Sequence, residues 1–317
     1  MALGGPPDRG EAMRQTGAMP DVLSLRDLDR ASLDAILDRS GRWADGAAEP
    51  RGGRPRVATI FSGPAFRTRL AFDTAIDLIG GHRVDLPLTL GEREPIADTA
   101  AVLGGGVDAV VIRHGSHADV LELAEHCPVP VVNAMTASGH PCEVVSEAFT
   151  VRRRRGSLDG LRLTFVGEAT NLFRSWCELS TAYDIAVTQV APPGFEAPQA
   201  YLDEIAALGG SLATTADLAA GADGAHVIYT DGWPEEARVD GPTRVAFERT
   251  TITADLLDAL GGDPTAGEGV LMHCMPVRRG DEVTAEAFAH PRSITLEAKR
   301  SLAPTHAALL EFALGML

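Results

Sequence analysis

A strand, a Gly-Pro turn and a helix follow one another between Val57 and Gly81, and this order constrains the fold more than any other stretch. Val57 to Phe61 is a short apolar run with β-branched residues, which is typical of a buried strand. Ser62-Gly63-Pro64 ends the run, and from Ala65 apolar residues recur at helical spacing up to the glycines at 80 and 81. This order predicts an α/β fold.

The first turn of the predicted helix contains Arg67, Thr68 and Arg69. Backbone N–H groups, a hydroxyl and two guanidinium groups converge there, where the helix dipole favours an anion. An anion site is therefore one interpretation. Because arginines near helix ends are common, the spacing alone equally allows an ordinary connection with solvated arginines.

Length and charge limit the function classes. A chain of 317 residues with 45% hydrophobic composition is large enough for two packed domains. The formal net charge of −16 argues against nucleic-acid binding, and we interpret the run Arg152 to Arg155 as a solvated face or linker. No stretch approaches the roughly 18 apolar residues of a membrane span, so we expect no membrane partner.

The cysteines and the single lysine exclude further chemistry. The four cysteines show no C-x-x-C spacing, which favours reduced thiols in a cytoplasmic protein over a disulfide framework or a zinc site. Lys299 is the only lysine, so a Schiff-base or P-loop lysine is not expected. Residues 1–22 lack an apolar signal core and are predicted to be a disordered extension.

Polar residues follow several predicted strands. Arg113 comes directly after the apolar run 107–112, and His140 lies shortly after the run 129–133. Since ligands bind at the carboxyl ends of parallel strands, both are candidate site residues, although a single histidine there is more often structural. Strand candidates at 161–166, 185–190 and 227–230 repeat the pattern. The predicted fold is α/β, with two doubly wound domains of mainly parallel sheets joined by helices.

Five motifs resemble those of the aspartate and ornithine carbamoyltransferase family, in order and from about residue 23 to the end. The segment 61–72, F-x-x-P-x-x-R-T-R-x-x-F, resembles the family's F-x-x-P-S-T-R-T-R-x-S-F-E, and the H-P-x-E at 140–143 is similar to its H-P-x-Q. The segments 90–99 and 167–175 also resemble family motifs. The H-C-x-P at 273–276, with D-x-W at 231–233, is nearer the ornithine-type branch.

The resemblance implies a domain plan and partners. It implies a carbamoyl-phosphate-binding domain at 23–150, an acceptor-binding domain at 151–296, and a C-terminal helix at 297–317 that packs back on the first domain. It also implies a homotrimer with sites near subunit borders, carbamoyl phosphate and a small amine as substrates, and no cofactor or metal.

The resemblance also implies site residues. In the family, the motif arginine and histidine bind and polarise the carbamoyl carbonyl oxygen, and the R-T-R motif holds phosphate. The catalytic residues implied are Arg67, Arg113, His140, Asp231 and Cys274. The substrate-binding residues implied are Ala65, Phe66, Thr68, Glu143, Asn171, Glu235, Glu236, His273, Met275 and Arg300.

Departures from the family pattern fall inside this set. Ala65 and Phe66 replace a serine and a threonine, and each lost hydrogen bond to phosphate would cost roughly 1.5–3 kcal/mol. Glu143 replaces a glutamine and cannot donate to a ligand. Glu235 and Glu236 replace a Ser-Met pair; as carboxylates they would repel an α-carboxylate and attract an amine, unless they face solvent.

Three functions are consistent with these residues. The first is carbamoyl transfer to a primary amine other than plain ornithine, in specialised metabolism. The second is another enzyme on the same scaffold, in which Glu143 is a general base and carbamoyl phosphate is not used. The third is a non-catalytic homologue that binds a ligand.

Overall fold

A computed structural model describes residues 19–317 and divides them into two α/β units. Of the described residues, the first unit comprises 19–146 together with Ser301–Leu317, and the second comprises Glu147–Arg300. These boundaries lie four residues from each of the two predicted at 150/151 and 296/297. No helix among residues 19–317 is long and apolar enough to cross a membrane.

The described residues form two sheets in which all strand pairs are parallel. The first unit contains a sheet of order β2-β1-β3-β4, and the second a sheet of order β7-β6-β5-β8-β9. The strands are β1 (Arg56–Phe61), β2 (His82–Asp85), β3 (Ala109–Arg113), β4 (Val131–Met135), β5 (Leu161–Val166), β6 (Ile185–Val190), β7 (Ser211–Thr215), β8 (Val227–Thr230) and β9 (Val270–His273). Two parallel sheets with intervening helices confirm the predicted fold class.

The helices of the described residues alternate with the strands as far as β8, and several consecutive helices follow β8 and β9. They are α1 (Arg30–Ala44), α2 (Phe66–Leu78), α3 (Ile96–Gly104), α4 (His117–His126), α5 (Pro141–Arg155), α6 (Asn171–Leu179), α7 (Gln199–Ala207), α8 (Leu218–Ala222), α9 (Pro242–Glu248), α10 (Ala254–Ala259), α11 (Ala285–Ala289), α12 (Thr295–Arg300) and α13 (Leu302–Ala313). Short 3₁₀ turns occupy Leu25–Asp27, Glu235–Arg238 and Pro264–Ala266.

A buried ion pair fixes helix α13 in the first unit, where it packs against α1 and α2. The Arg39 guanidinium donates to both carboxylate oxygens of Glu311, at 2.5 and 2.6 Å, and the Trp43 indole N–H donates to the same carboxylate at 2.8 Å. Arg39 is 4% exposed and Glu311 is fully buried. Breaking such a pair on one side leaves an uncompensated buried charge, which typically costs about 3–5 kcal/mol.

The chain ends differ from the predictions in two respects. Val22 is buried and its N–H donates to the Val131 carbonyl, so the extension predicted for 1–22 does not include it; residues 1–18 lie outside the described residues. The single C-terminal helix is two helices, α12 and α13, with Ser301 between them. Pro304 explains the break, because it has no N–H to donate to the Arg300 carbonyl and its ring crowds that group.

Candidate active site

In the first unit, the side chains of interest lie at the carboxyl ends of neighbouring strands. Phe61 at the end of β1 is in register with Arg113 at the end of β3, which in turn is in register with Met135 of β4. The register of β3 against β4 shifts by one residue between Ile112 and Arg113. Such a bulge re-aims the side chain that follows it, which here is the arginine.

Arg113 meets the first turn of helix α2. Its Nη1 donates to the hydroxyl of Thr68 at 3.4 Å, and Thr68 itself is 6% exposed. The residue that precedes α2, Ala65, makes no side-chain cap, so no side chain there competes with an anion for the first N–H groups of the helix. The Arg113 guanidinium and the Thr68 hydroxyl therefore lie together at the N-terminus of helix α2.

The other arginines of the segment have different surroundings. Arg69 is bound within the protein, because it donates to Asp85 at 3.2 Å and to the Phe61 carbonyl at 3.0 Å. The guanidinium carbon of Arg67 lies 5.0 Å from the centre of the Phe66 ring, at cation–π distance. Phe66 is 67% exposed, so its ring does not fill the interior of the unit.

His140 and Glu143 are buried together at the start of helix α5. Each is 7% exposed, and 3.9 Å separates His140 Nε2 from Glu143 Oε2. Behind them His306 of α13 stacks on Phe72 with ring centres 4.1 Å apart. Burial lowers the pKa of His306 to about 3, while the Glu143 carboxylate acts to raise it. His306 is thus a neutral core residue near neutral pH, and the Glu143 carboxylate interacts electrostatically with the imidazoles of His140 and His306.

We call these residues of the first unit the N-terminal cluster: Arg67, Thr68, Arg113, His140 and Glu143. Direct contacts join Arg113 to Thr68 and His140 to Glu143. Basic groups at an uncapped helix end suit a phosphorylated ligand, and a buried imidazole suits hydrogen bonding to a neutral oxygen.

The second unit also presents its polar residues at adjacent strand ends. Val166 of β5 is in register with Thr230 of β8, and Thr230 with His273 of β9. Within two residues of these strand ends lie Glu168, Asp231 and Cys274. The Cys274 thiol donates to Asp231 Oδ1 at 3.0 Å, and the Gly232 N–H donates to the same oxygen at 2.8 Å.

Glu168 lies in an acidic environment. Partial burial raises the pKa of its carboxyl, the negative charges of Glu236 and Asp231 raise it further, and Arg238 opposes them. Three carboxylates in electrostatic contact favour a cationic ligand. We call Glu168, Asp231, Glu236 and Cys274 the C-terminal cluster.

His273 is not available to a ligand, although the motif placed it among the substrate-binding residues. Its side chain is fully buried; the Met275 N–H donates to its Nδ1 at 2.8 Å, and its Nε2 lies 3.2 Å from Glu282 Oε1. Met275 is half-buried and has φ of 66°, a left-handed conformation that costs a non-glycine residue on the order of 1–3 kcal/mol.

The other predicted residues of the second unit, together with Glu236 of the C-terminal cluster, are exposed or half-buried. Glu235 and Glu236 are exposed on the 3₁₀ turn Glu235–Arg238, which is anchored by Trp233 packing against Phe247. Asn171 is half-buried as the first residue of α6, and Arg300 is exposed at the end of α12.

Sequence reasoning did not single out Glu168, Glu282 or His306. Glu168 is the second residue after a predicted strand, which is a usable signal for a site residue. Glu282 and His306 carry no local signal, because Glu282 pairs with a residue nine positions earlier in an irregular segment and His306 lies within the apolar face of a helix.

Two family models match the chain. The first, described as the carbamoyl-P binding domain of aspartate/ornithine carbamoyltransferase, matches residues 20–153, and the second, the Asp/Orn binding domain, matches residues 159–313.

Individual relatives agree with the family models. The chain is 36% identical over 299 residues to an ornithine carbamoyltransferase of Acidothermus cellulolyticus (91% of this chain, 94% of the relative) and 34% identical over 311 residues to one of Brucella suis (95% and 98%). Among solved structures, it is similar to the ornithine carbamoyltransferase of Pyrococcus furiosus, with a TM-score of 0.86, 29% identity and coverage of 95% and 98%. The enzyme from Gloeobacter violaceus gives a TM-score of 0.82, 32% identity and coverage of 94% and 99%.

Proposed function

This chain belongs to the aspartate/ornithine carbamoyltransferase family, and from that premise we propose that it transfers the carbamoyl group of carbamoyl phosphate to a primary amine and releases phosphate. The observation that supports the donor most directly is the contact of Arg113 with Thr68 at the uncapped start of helix α2. That contact supports the proposal, because positive charge and hydrogen-bond donors at a helix start favour the binding of a phosphate dianion.

In this proposal the N-terminal cluster binds the donor. Arg67, Thr68 and the helix α2 N–H groups hold the phosphate, while Arg113 and His140 donate to the carbamoyl oxygen and stabilise the charge that develops on it. Ala65 and Phe66 contribute only backbone donors. We therefore expect weaker donor binding than an enzyme with two hydroxyls at these positions would show.

The C-terminal cluster receives the amine. Asp231 and Cys274 orient the amino group, with Met275 beside them, and Glu168 and Glu236 add negative charge. The net charge of this group favours an acceptor with a second cationic centre and without an α-carboxylate, such as a diamine. Ornithine, the substrate in the names of the relatives, is the second candidate.

The reaction proceeds without a covalent enzyme intermediate. The neutral amine nitrogen attacks the carbamoyl carbon to give a tetrahedral intermediate, and the bond from that carbon to the phosphate oxygen then breaks. The amine proton passes to the departing phosphate. A carbamoylated amine and inorganic phosphate are the products.

The test is to incubate the purified protein with carbamoyl phosphate and one amine at a time: 1,4-diaminobutane, ornithine or aspartate. Phosphate release and the carbamoylated product are measured, with the Arg113→Met variant as the control for spontaneous decomposition. We expect turnover to decrease in the order diamine, ornithine, aspartate. Phosphate release at the control rate with every amine would contradict carbamoyl transfer and favour the alternatives in which Glu143 serves another reaction or the chain only binds.

Assembly and location complete the proposal. We infer a homotrimer, supported by the exposed apolar side chains of Phe66 and Leu70 on one face of helix α2, 67% and 63% exposed. We infer a cytoplasmic location from the four free cysteines. Light scattering of the purified protein gives the assembly size, and a monomer would contradict the first inference.

A further inference from the structure

The buried pair of His273 and Glu282 holds two points of the segment that follows strand β9. Glu282 Oε1 lies 3.2 Å from His273 Nε2 and accepts the Arg278 N–H at 2.6 Å, and the same imidazole accepts the Met275 N–H at 2.8 Å. One carboxylate oxygen and one imidazole ring therefore fix the backbone at positions 275 and 278.

The hydrogen bonds define the state of the imidazole. Nδ1 accepts from a backbone N–H and so carries no proton, which leaves the proton on Nε2, where it is donated to Glu282 Oε1. A carboxylate that orients an imidazole in this way fixes its tautomer and its ring angle. The pair thus presents an acceptor to Met275 in a single orientation.

Cys274 lies between His273 of the buried pair and Met275, the first of the two residues whose backbone is held. Its thiol donates to Asp231 Oδ1 at 3.0 Å, while the next residue, Met275, has a left-handed backbone conformation with φ of 66°. Such a conformation persists in a non-glycine residue only where the surroundings impose it. The hydrogen bond from the Met275 N–H to His273 Nδ1 is one contact that holds the backbone in this conformation.

We propose that His273 and Glu282 are positioning residues for the amine acceptor: they impose the left-handed turn at Met275 and so hold the Cys274 thiol against Asp231. This inference rests on the proposed function, in which Asp231 and Cys274 orient the amine. Neither residue of the pair contacts substrate, because both side chains are fully buried.

The first measurement separates the two substrates. In Glu282→Ala, the imidazole loses its acceptor and the Arg278 N–H loses its partner, so the turn relaxes. We expect KM for the amine to rise tenfold or more, with KM for carbamoyl phosphate changed less than twofold. A purely structural role would lower the melting temperature and affect both KM values alike, and that result, or two unchanged KM values, would overturn the proposal.

The second measurement does not depend on activity. We expect Cys274 to be alkylated at least threefold faster by iodoacetamide in Glu282→Ala than in wild type, since the thiol no longer donates to Asp231. The experiment uses a Cys127→Ser background, because Cys142 and Cys177 are buried and only Cys127 and Cys274 are partly accessible. An unchanged rate would overturn the proposal even if the protein transferred no carbamoyl group.

Two variants complete the design. Asp258→Asn removes the charge of a surface His-Asp pair of the same unit, in which Asp258 Oδ1 lies 3.1 Å from His290 Nε2, and should leave both measurements unchanged. Should Glu282→Ala fail to fold, the isosteric Glu282→Gln replaces it, with the same direction and about a threefold effect on the amine KM. An unaltered amine KM and alkylation rate in folded Glu282→Gln would then overturn the proposal.

Discussion

The two clusters differ in sign and in how their side chains are held. The N-terminal cluster is dominated by guanidinium and imidazole groups at a helix start, with a 3.4 Å contact between Arg113 and Thr68 as its central bond. The C-terminal cluster is acidic and rests on a buried support, the His273 and Glu282 pair. The proposed anion site therefore consists of residues that sequence motifs identify, whereas the proposed amine site also depends on a buried pair, His273 and Glu282, that the fold brings together.

The largest effect is expected in the N-terminal cluster, from Arg113→Met. Loss of a charged donor to the developing oxyanion should lower kcat/KM by about 10²–10³-fold. Steady-state phosphate release measures it, with Arg69→Met as the matched control. Because Arg69 is occupied by Asp85 and the Phe61 carbonyl, its removal should reduce the melting temperature more than it reduces turnover. Equal losses of activity in both variants would refute the distinction between the two arginines.

Asp231→Asn tests the opposite cluster. The substitution keeps the side-chain shape but removes the negative charge of the group that accepts the hydrogen bond from the Cys274 thiol. The KM for the amine should therefore rise about 10–100-fold, while the KM for carbamoyl phosphate stays within twofold. Initial rates with each substrate varied in turn provide the measurement. A rise in the KM of carbamoyl phosphate alone would show that Asp231 acts on the donor and would contradict its proposed role in binding the amine.

Glu143→Gln has an intermediate effect and decides between two functions. Glutamine removes the negative charge of Glu143 from the N-terminal cluster, which is the proposed donor site, and adds an N–H donor, so KM for carbamoyl phosphate should fall about tenfold. The same rate assay measures this change. If Glu143 were instead a general base, the Glu143→Gln variant would be inactive. A Glu147→Gln variant is the control for non-specific damage, because Glu147 is a buried glutamate four residues further along α5.

Much of the fold follows from the sequence because buried parallel strands are apolar runs. The strands at 161–166, 185–190 and 227–230 match their predicted bounds, since each run is apolar and ends at a polar residue or a turn. Strand β7 was not predicted, because Ser211–Thr215 lies at the edge of its sheet and is largely exposed. Edge strands lack the apolar pattern on which the prediction depends.

The site was predictable only in part, for a related reason. Arg113 and Asp231 follow predicted strands, so topology alone places them at a sheet edge. The burial of His273 was not predictable, because its partners Glu282 and Met275 reach it through an irregular turn. A motif names the residue but does not state whether its side chain faces a ligand or the interior.

The smallest expected effect concerns Glu168 and appears as a pH dependence confined to the C-terminal cluster. Its pKa is raised in the folded protein, so the folded state binds more protons than the unfolded state between the ordinary carboxyl value and the raised one. Stability should therefore fall as pH rises through that window, and Glu168→Gln should remove this loss. Relative to wild type, the melting temperature of the variant should increase by about 1 °C between pH 4 and pH 7, a small value because Glu168 is only half-buried. A saturating cationic amine should abolish the difference by pairing with the carboxylate, and a difference that persisted with the amine bound would show that Glu168 lies outside the acceptor site.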